Sequence, residues 1–152
     1  MQINTARYSN QKQFRYGLKI MPAKHFIDKD AKLIVTIWEG DAVDLEFVEA
    51  ITKYQKDIQL NPEYIEYNEV ANFCKITSIK LTPKGLKRIG RIASKTDQFK
   101  FNSKLALVVS SGTTFNLARI YASFRNLQNG TNKEIRIFKN EVEAMGWAQN
   151  KA

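Results

Sequence analysis

The sequence predicts an α/β domain built on a mixed, mostly parallel sheet of about five strands with four helices. Three observations predict it. Apolar or β-branched runs at Lys32–Trp38, Leu105–Val109 and Glu134–Phe138 alternate with segments whose apolar residues recur at helical spacing. The stretch Ser103–Leu127 holds one complete strand, small-residue turn and helix, which is half of a βαβ unit. Thr82-Pro83 and Asn140-Glu141-Val142-Glu143 are strong helix starts placed where connections should enter helices. A chain of 152 residues with 43% hydrophobic content can bury one sizeable core.

Residues 1–20 form a basic, polar extension, and residues 21–152 form the domain. Positions 1–13 are rich in Gln, Asn and Ser and show no period, so they read as a loose tail. Phe14–Ile20 alternates weakly and is a candidate edge strand. Lys24–Ile27 is expected to pair with Lys32–Trp38 as an antiparallel hairpin through Asp28-Lys29-Asp30. Glu39-Gly40 ends the second strand, and Asp41 is expected to cap the next helix, with Asp44 favouring its positive end. Phe47, Val48, Ile51, Tyr54 and Ile58 make that helix's buried stripe, and Asn61-Pro62 stops it.

Tyr64–Val70 is the next expected strand, with Lys75–Leu81 a candidate short extended piece after it. Pro83–Lys95 is a helix with Thr82 as its cap and Leu86, Ile89, Ile92 and Ala93 inward. Gly85 and Gly90 weaken it by up to about 1 kcal/mol each relative to alanine. Leu105–Val109 is continuously apolar, as in a strand covered on both faces. Leu117, Ile120, Tyr121, Phe124 and Leu127 are the stripe of the helix that follows, and Asn129-Gly130 suits its end. Glu134–Phe138 turns Ile135 and Ile137 inward and Arg136 outward. Asn140 opens the final helix, where Val142, Met145 and Trp147 supply the apolar contacts.

The bulk numbers exclude several classes. No apolar run approaches the roughly 18 residues that cross a bilayer, and residues 1–20 hold no apolar signal core. One cysteine, Cys74, allows no internal disulfide, which fits a cytoplasmic setting. The single histidine, His25, has no cluster of Cys, Asp or Glu at ligand spacing, so no metal or cofactor is expected. Glu46, Glu49, Glu63, Glu66 and Glu69 fall on separate faces without forming a catalytic pair. No Gly-rich phosphate loop or dinucleotide fingerprint is present, so no enzyme activity is expected. The net charge is +9. Arg7, Lys12, Arg15 and Lys19 sit in an acid-free first 20 residues, and 20 basic residues face 15 acidic ones in the rest. Such a balance attracts phosphates of any kind.

A family pattern runs through the last third. Lys104-Leu105-Ala106-Leu107-Val108-Val109, Phe115-Asn116-Leu117-Ala118-Arg119-Ile120-Tyr121, Ile135-Arg136-Ile137-Phe138 and Glu143-Ala144-Met145-Gly146-Trp147 occur in that order. The chain thereby resembles the SpoIIAA-like family, small bacterial proteins of the STAS fold, related in architecture to CRAL-TRIO lipid-binding domains. By element order the resemblance covers Met21–Gln149. It implies a single STAS-like domain and a non-enzymatic binding or regulatory role. The expected partner is a protein or a small anionic or lipid-like ligand. Two departures stand out. Asn116 takes the place of the family's glycine. The phosphorylatable Asp-Ser-Ser-Gly is absent after the third strand, where Thr77-Ser78-Ile79-Lys80-Leu81-Thr82 stands instead.

The expected ligand site is the rim at the strand ends: Ser110, Ser111, Gly112, Thr113, Thr114 and Arg119, with Thr82 and Lys84 at the neighbouring helix start. A helix N-terminus offers free N–H groups, hydroxyls add donors, and Arg119 one turn in could close on an anion. Ser, Gly and Thr are also what such a turn needs for structure alone. The alternative is a basic surface, Lys84, Arg88, Arg91 and Lys95 on one helix face, meeting nucleic acid or an anionic membrane. That stripe has no interleaved aromatics for base stacking, and a solvated outer helix face is the better explanation of it.

Overall fold

The computed structural model of the chain describes residues 23–96, 102–110, 112–127 and 133–149. The extension 1–20 with its candidate strand, Ser111, and the helix stop Asn129-Gly130 lie outside them. Strand β1 (Ala23–Asp28) pairs antiparallel with β2 (Leu33–Val43), from Ala23↔Trp38 to Asp28↔Leu33. The hairpin turn is the expected one. Asp28 Oδ1 accepts from the Ala31 amide at 3.0 Å, and Lys32 takes a φ of 51°.

Helix α1 (Asp44–Leu60), β3 (Asn68–Lys80), α2 (Pro83–Ala93), β4 (Ser103–Val108), α3 (Gly112–Leu127), β5 (Lys133–Phe138) and α4 (Glu141–Ala148) follow. The five strands stand in sequence order, β1 to β5, and β2 to β5 are parallel. Each crossover therefore steps to the adjacent strand in the same direction. Right-handed crossovers then lay α1, α2 and α3 on one face. Alternation in β4 divides the core: Leu105, Leu107 and Val109 pack under Ala118 and Ala122 of α3. Ala106 and Val108 pack with Val70 under Ala144, Met145 and Ala148 of α4, on the other face.

Several expectations are corrected. Asp41 is not a helix cap, because β2 runs on to Val43. There it accepts from Thr77 Oγ1 at 3.1 Å and Ser78 Oγ at 2.7 Å of β3, and α1 begins at Asp44. Tyr64 does not start a strand. Pro62, with its fixed φ, opens a 3-10 turn through Glu66, and β3 begins at Asn68. The expected piece Lys75–Leu81 belongs, up to Lys80, to β3 itself, which continues past Asn72, its last residue paired to β4, alongside β2 alone. Two register shifts and Gly40, at a φ of 79°, bend this arm. Trp38, Phe47 and Phe73 stack within it, with ring centroids 4.5–6.2 Å apart.

Thr82 caps α2 as expected, its Oγ1 accepting from the Gly85 amide at 3.0 Å. Asp44 of α1 reinforces that start. Its carboxylate accepts from the Thr82 amide at 3.0 Å and from Thr82 Oγ1 at 2.6 Å. Gly85 lies so close to it that a Cβ there would collide with the carboxylate. Gly90 likewise lets α2 approach Phe124, whose ring lies 2.7 Å from where a Cβ would stand. Both glycines are thus close-approach positions rather than mere weaknesses. Asn140 caps α4 through Val142 and Glu143. Val142 is 80% exposed, however, because the sheet-facing side of α4 is Ala144, Met145 and Ala148.

Candidate functional site

The helix-side core is not filled. A cavity of about 120 Å³ lies between the sheet and α1, α2 and α3. Its walls include Phe73, Ile76, Leu86, Ile89, Leu107 and Leu117. Protein interiors hold few voids larger than a water molecule. An apolar cavity of this order accepts a guest the size of an aromatic ring.

Polar side chains gather on the same lining: Tyr54 and Gln55 of α1, Glu69 of β3, Tyr121 and Arg125 of α3, and Lys133 of β5. The pairings Ile34↔Glu69 and Ser103↔Lys133 put the two strand residues at the starts of the parallel strands. Gln55 Nε2 donates to the Ala93 carbonyl of α2 at 3.2 Å, while its Oε1 is buried with no hydrogen-bond partner among the described residues. Glu69 Oε1 accepts from the Tyr54 hydroxyl, and Oε2 accepts from Lys133 Nζ at 2.6 Å. Burial alone would raise the Glu69 pKa. The Lys133 ammonium beside it, the two hydrogen bonds and Arg125 outweigh that and hold it below the usual carboxylate range. Burial and the Glu69 charge push the Tyr54 hydroxyl well above its ordinary range. Arg125, only 1% exposed, donates from Nη1 to the Tyr121 hydroxyl at 2.8 Å.

The chain of polar contacts continues to the sheet edge. The His25 ring stacks on Tyr54 at 4.7 Å and shares a 2.8 Å hydrogen bond with Thr36 Oγ1. Desolvation lowers the His25 pKa to about 4, against the pull of Asp57 and Glu69. Among the described residues, no three His, Cys, Asp or Glu side chains gather as metal ligands would.

The expected rim residues differ in exposure. Ser110, Gly112, Thr113 and Arg119 are exposed, while Thr114 is buried and lines the cavity. Helix α3 begins at Gly112, so Thr113 and Thr114 lie inside its first turn. Thr82 is committed to Asp44 and Gly85, and Lys84 is exposed. A ligand crevice at strand ends forms where strand order reverses. Here the order of the parallel strands never reverses. Lys84, Arg88, Arg91 and Lys95 all stand exposed on the outer side of α2 and the turn after it. Cys74 is exposed and free. Trp38 is buried in the core; Trp147 packs on Phe138, with Lys104 and Arg136 over its ring at 5.1 and 5.2 Å.

Comparison with solved structures decides the architecture. An uncharacterized protein of the DUF3478 family from Shewanella loihica, described as having a SpoIIAA-like fold, superposes with a TM-score of 0.55 at 12% identity. The match covers 90% of this chain and 99% of that one. The fold is SpoIIAA-like. No protein-family model matches the chain, and no curated protein does. At 12% identity the likeness speaks for the SpoIIAA-like fold and leaves the site to be argued from geometry.

Sequence reasoning missed the polar lining of this SpoIIAA-like domain. One signal was available: Arg125 follows Thr114, Ala118 and Tyr121 by eleven, seven and four residues, which places a charge on the inner helical face. Glu69 shares strand parity with Ala71 and Phe73, which also face the helices. The expected stripe of α3 was instead centred too far toward Ile120, which is exposed.

Proposed function

We infer that this chain is a non-enzymatic, STAS-type binding or regulatory module of the cytoplasm whose working site is the cavity under α1, α2 and α3. The observation that carries this is an apolar void of about 120 Å³ with polar side chains gathered on its lining. A small lipid-like guest fits that lining: an apolar body against Phe73, Leu86 and Leu117, and one polar group toward Gln55 and Arg125. Glu69 supports the non-enzymatic reading. Both its oxygens are engaged, and its depressed pKa makes it a weak base. The test is a thermal-shift screen of short-chain alcohols and single-ring aromatics, on the wild type and on Ala71→Leu, which projects bulk into the cavity. Ligands should raise the wild-type Tm and leave the variant unmoved. A screen that stabilises neither protein sinks the cavity reading.

One further observation favours a second reading, a surface for polyanions. Lys84, Lys87, Arg88, Arg91 and Lys95 are all exposed, and α2 contains no acidic residue. Gel shift with random-sequence duplex and co-sedimentation with anionic vesicles at low salt test it. Binding should weaken steeply with salt and with charge reversal at Arg88 and Arg91. Empty results in both assays remove it.

A further inference from the structure

We propose that the cavity takes a small neutral ligand with an apolar body and one hydroxyl or N–H group, whose hydrogen Gln55 Oε1 accepts. This rests on the cavity being the working site, and it adds the chemistry of the guest. Gln55 is 7% exposed and lies on the cavity lining. Its amide is fixed: Nε2 donates to the Ala93 carbonyl at 3.2 Å, and the flipped amide would set two oxygens against each other. Oε1 is therefore a buried acceptor that no group among the described residues satisfies. Such an acceptor costs free energy that a donor would return.

Tyr54 and Lys133 give hydrogens to Glu69, and Arg125 Nη1 gives one to Tyr121. The Tyr121 oxygen, having accepted from Arg125, keeps its own hydrogen to donate. A ligand hydroxyl can thus give to Gln55 and can also accept. A neutral guest avoids a like-charge contact with either sign on this lining. A carboxylate or phosphate offers Gln55 Oε1 only lone pairs and meets the Glu69 carboxylate on the same lining. A cation meets Arg125 and Lys133 there. The apolar body is limited to roughly one ring or a short branched chain by the 120 Å³ available.

The test uses the full chain and three probes of one shape: phenol, toluene and benzoate. Binding is followed by NMR of the isoleucine and leucine methyls. Phenol and toluene differ only by hydroxyl for methyl, and toluene is the more hydrophobic. Phenol should bind at least about fivefold tighter, through one added hydrogen bond, and should shift the methyls of Ile76, Leu86 and Leu117. Gln55→Met, apolar and of similar length, should reverse the order. The wild-type comparison stands without that variant, should it fold poorly. Equal binding of phenol and toluene overturns the donor inference and leaves the cavity intact as a site. Tighter binding of benzoate overturns neutrality. No shift at the lining methyls with any probe overturns the cavity reading itself.

Discussion

His25 gives the sharpest quantitative prediction, because it is the single histidine of the chain. Its imidazole is packed on Tyr54 and bonded to Thr36, and its pKa falls from the ordinary 6.5 to about 4, chiefly through desolvation. Below pH 6.5 the unfolded chain takes up a proton that the folded chain refuses. Stability therefore falls with acid from that point until about pH 4, where both states are protonated. Between roughly pH 7.5 and pH 5 the loss is about 2 kcal/mol, at 1.36 kcal/mol per unit. Ordinary carboxylates stay mostly ionised there, and the depressed Glu69 contributes only at lower pH. In urea unfolding, the wild type should lose this much and His25→Gln should lose almost none. The slope with pH is read, so any constant cost of the substitution drops out. Proton NMR of the lone imidazole gives the midpoint directly. A titration centred near 6.5, or equal pH slopes in the two proteins, would refute the reasoning.

Three further predictions concern packing. Gly85→Ala should destabilise by about 1–3 kcal/mol in thermal or urea unfolding. Helix propensity alone would make it up to about 1 kcal/mol stabilising, so the sign of the change tests the contact with Asp44. Glu69→Gln leaves Lys133 buried without its carboxylate and should cost about 3–5 kcal/mol in chemical unfolding; a cost near zero would show that the pair does not hold the strands. Met145→Ala should cost about 2–5 kcal/mol and Val142→Ser no more than about 0.5 kcal/mol, read as Tm shifts. The reverse order would mean that α4 is rotated on the sheet.

The order of strands and helices was legible because its signals are local. Thr82-Pro83, Asn140, the Leu105–Val109 run and the Asp28 turn each carry their instruction within a few residues, and each forms as expected. What failed depended on partners far along the chain. The length of β2 and β3 is set by their mutual pairing beyond Trp38 and Asn72, which no window on either strand contains. The inner face of α1 includes Gln55, a polar residue that an apolar stripe omits. The polar lining draws single residues from α1, β3, α3 and β5, so it exists only once the sheet has assembled. The rim residues owe their expected role to a general habit of parallel sheets, whose crevice forms at a reversal of strand order, and here the order runs one way from β1 to β5.

That strand order also bears on how the chain is made. Every β-to-α-to-β step lands beside its predecessor, so each new unit can dock as it leaves the ribosome, without waiting for later sequence. Helix α4 is the exception. It turns back from β5 to cover Val70, Ala106 and Val108, and Asn68 Nδ2 clasps the Ala148 carbonyl at 2.7 Å across 80 residues. That side of the sheet thus stays open until α4, which follows all five strands, has been made. A released chain shortened to end before Glu141 would present that bare strip of Val70, Ala106 and Val108 to chaperones, and the eight residues of α4 are what cover it.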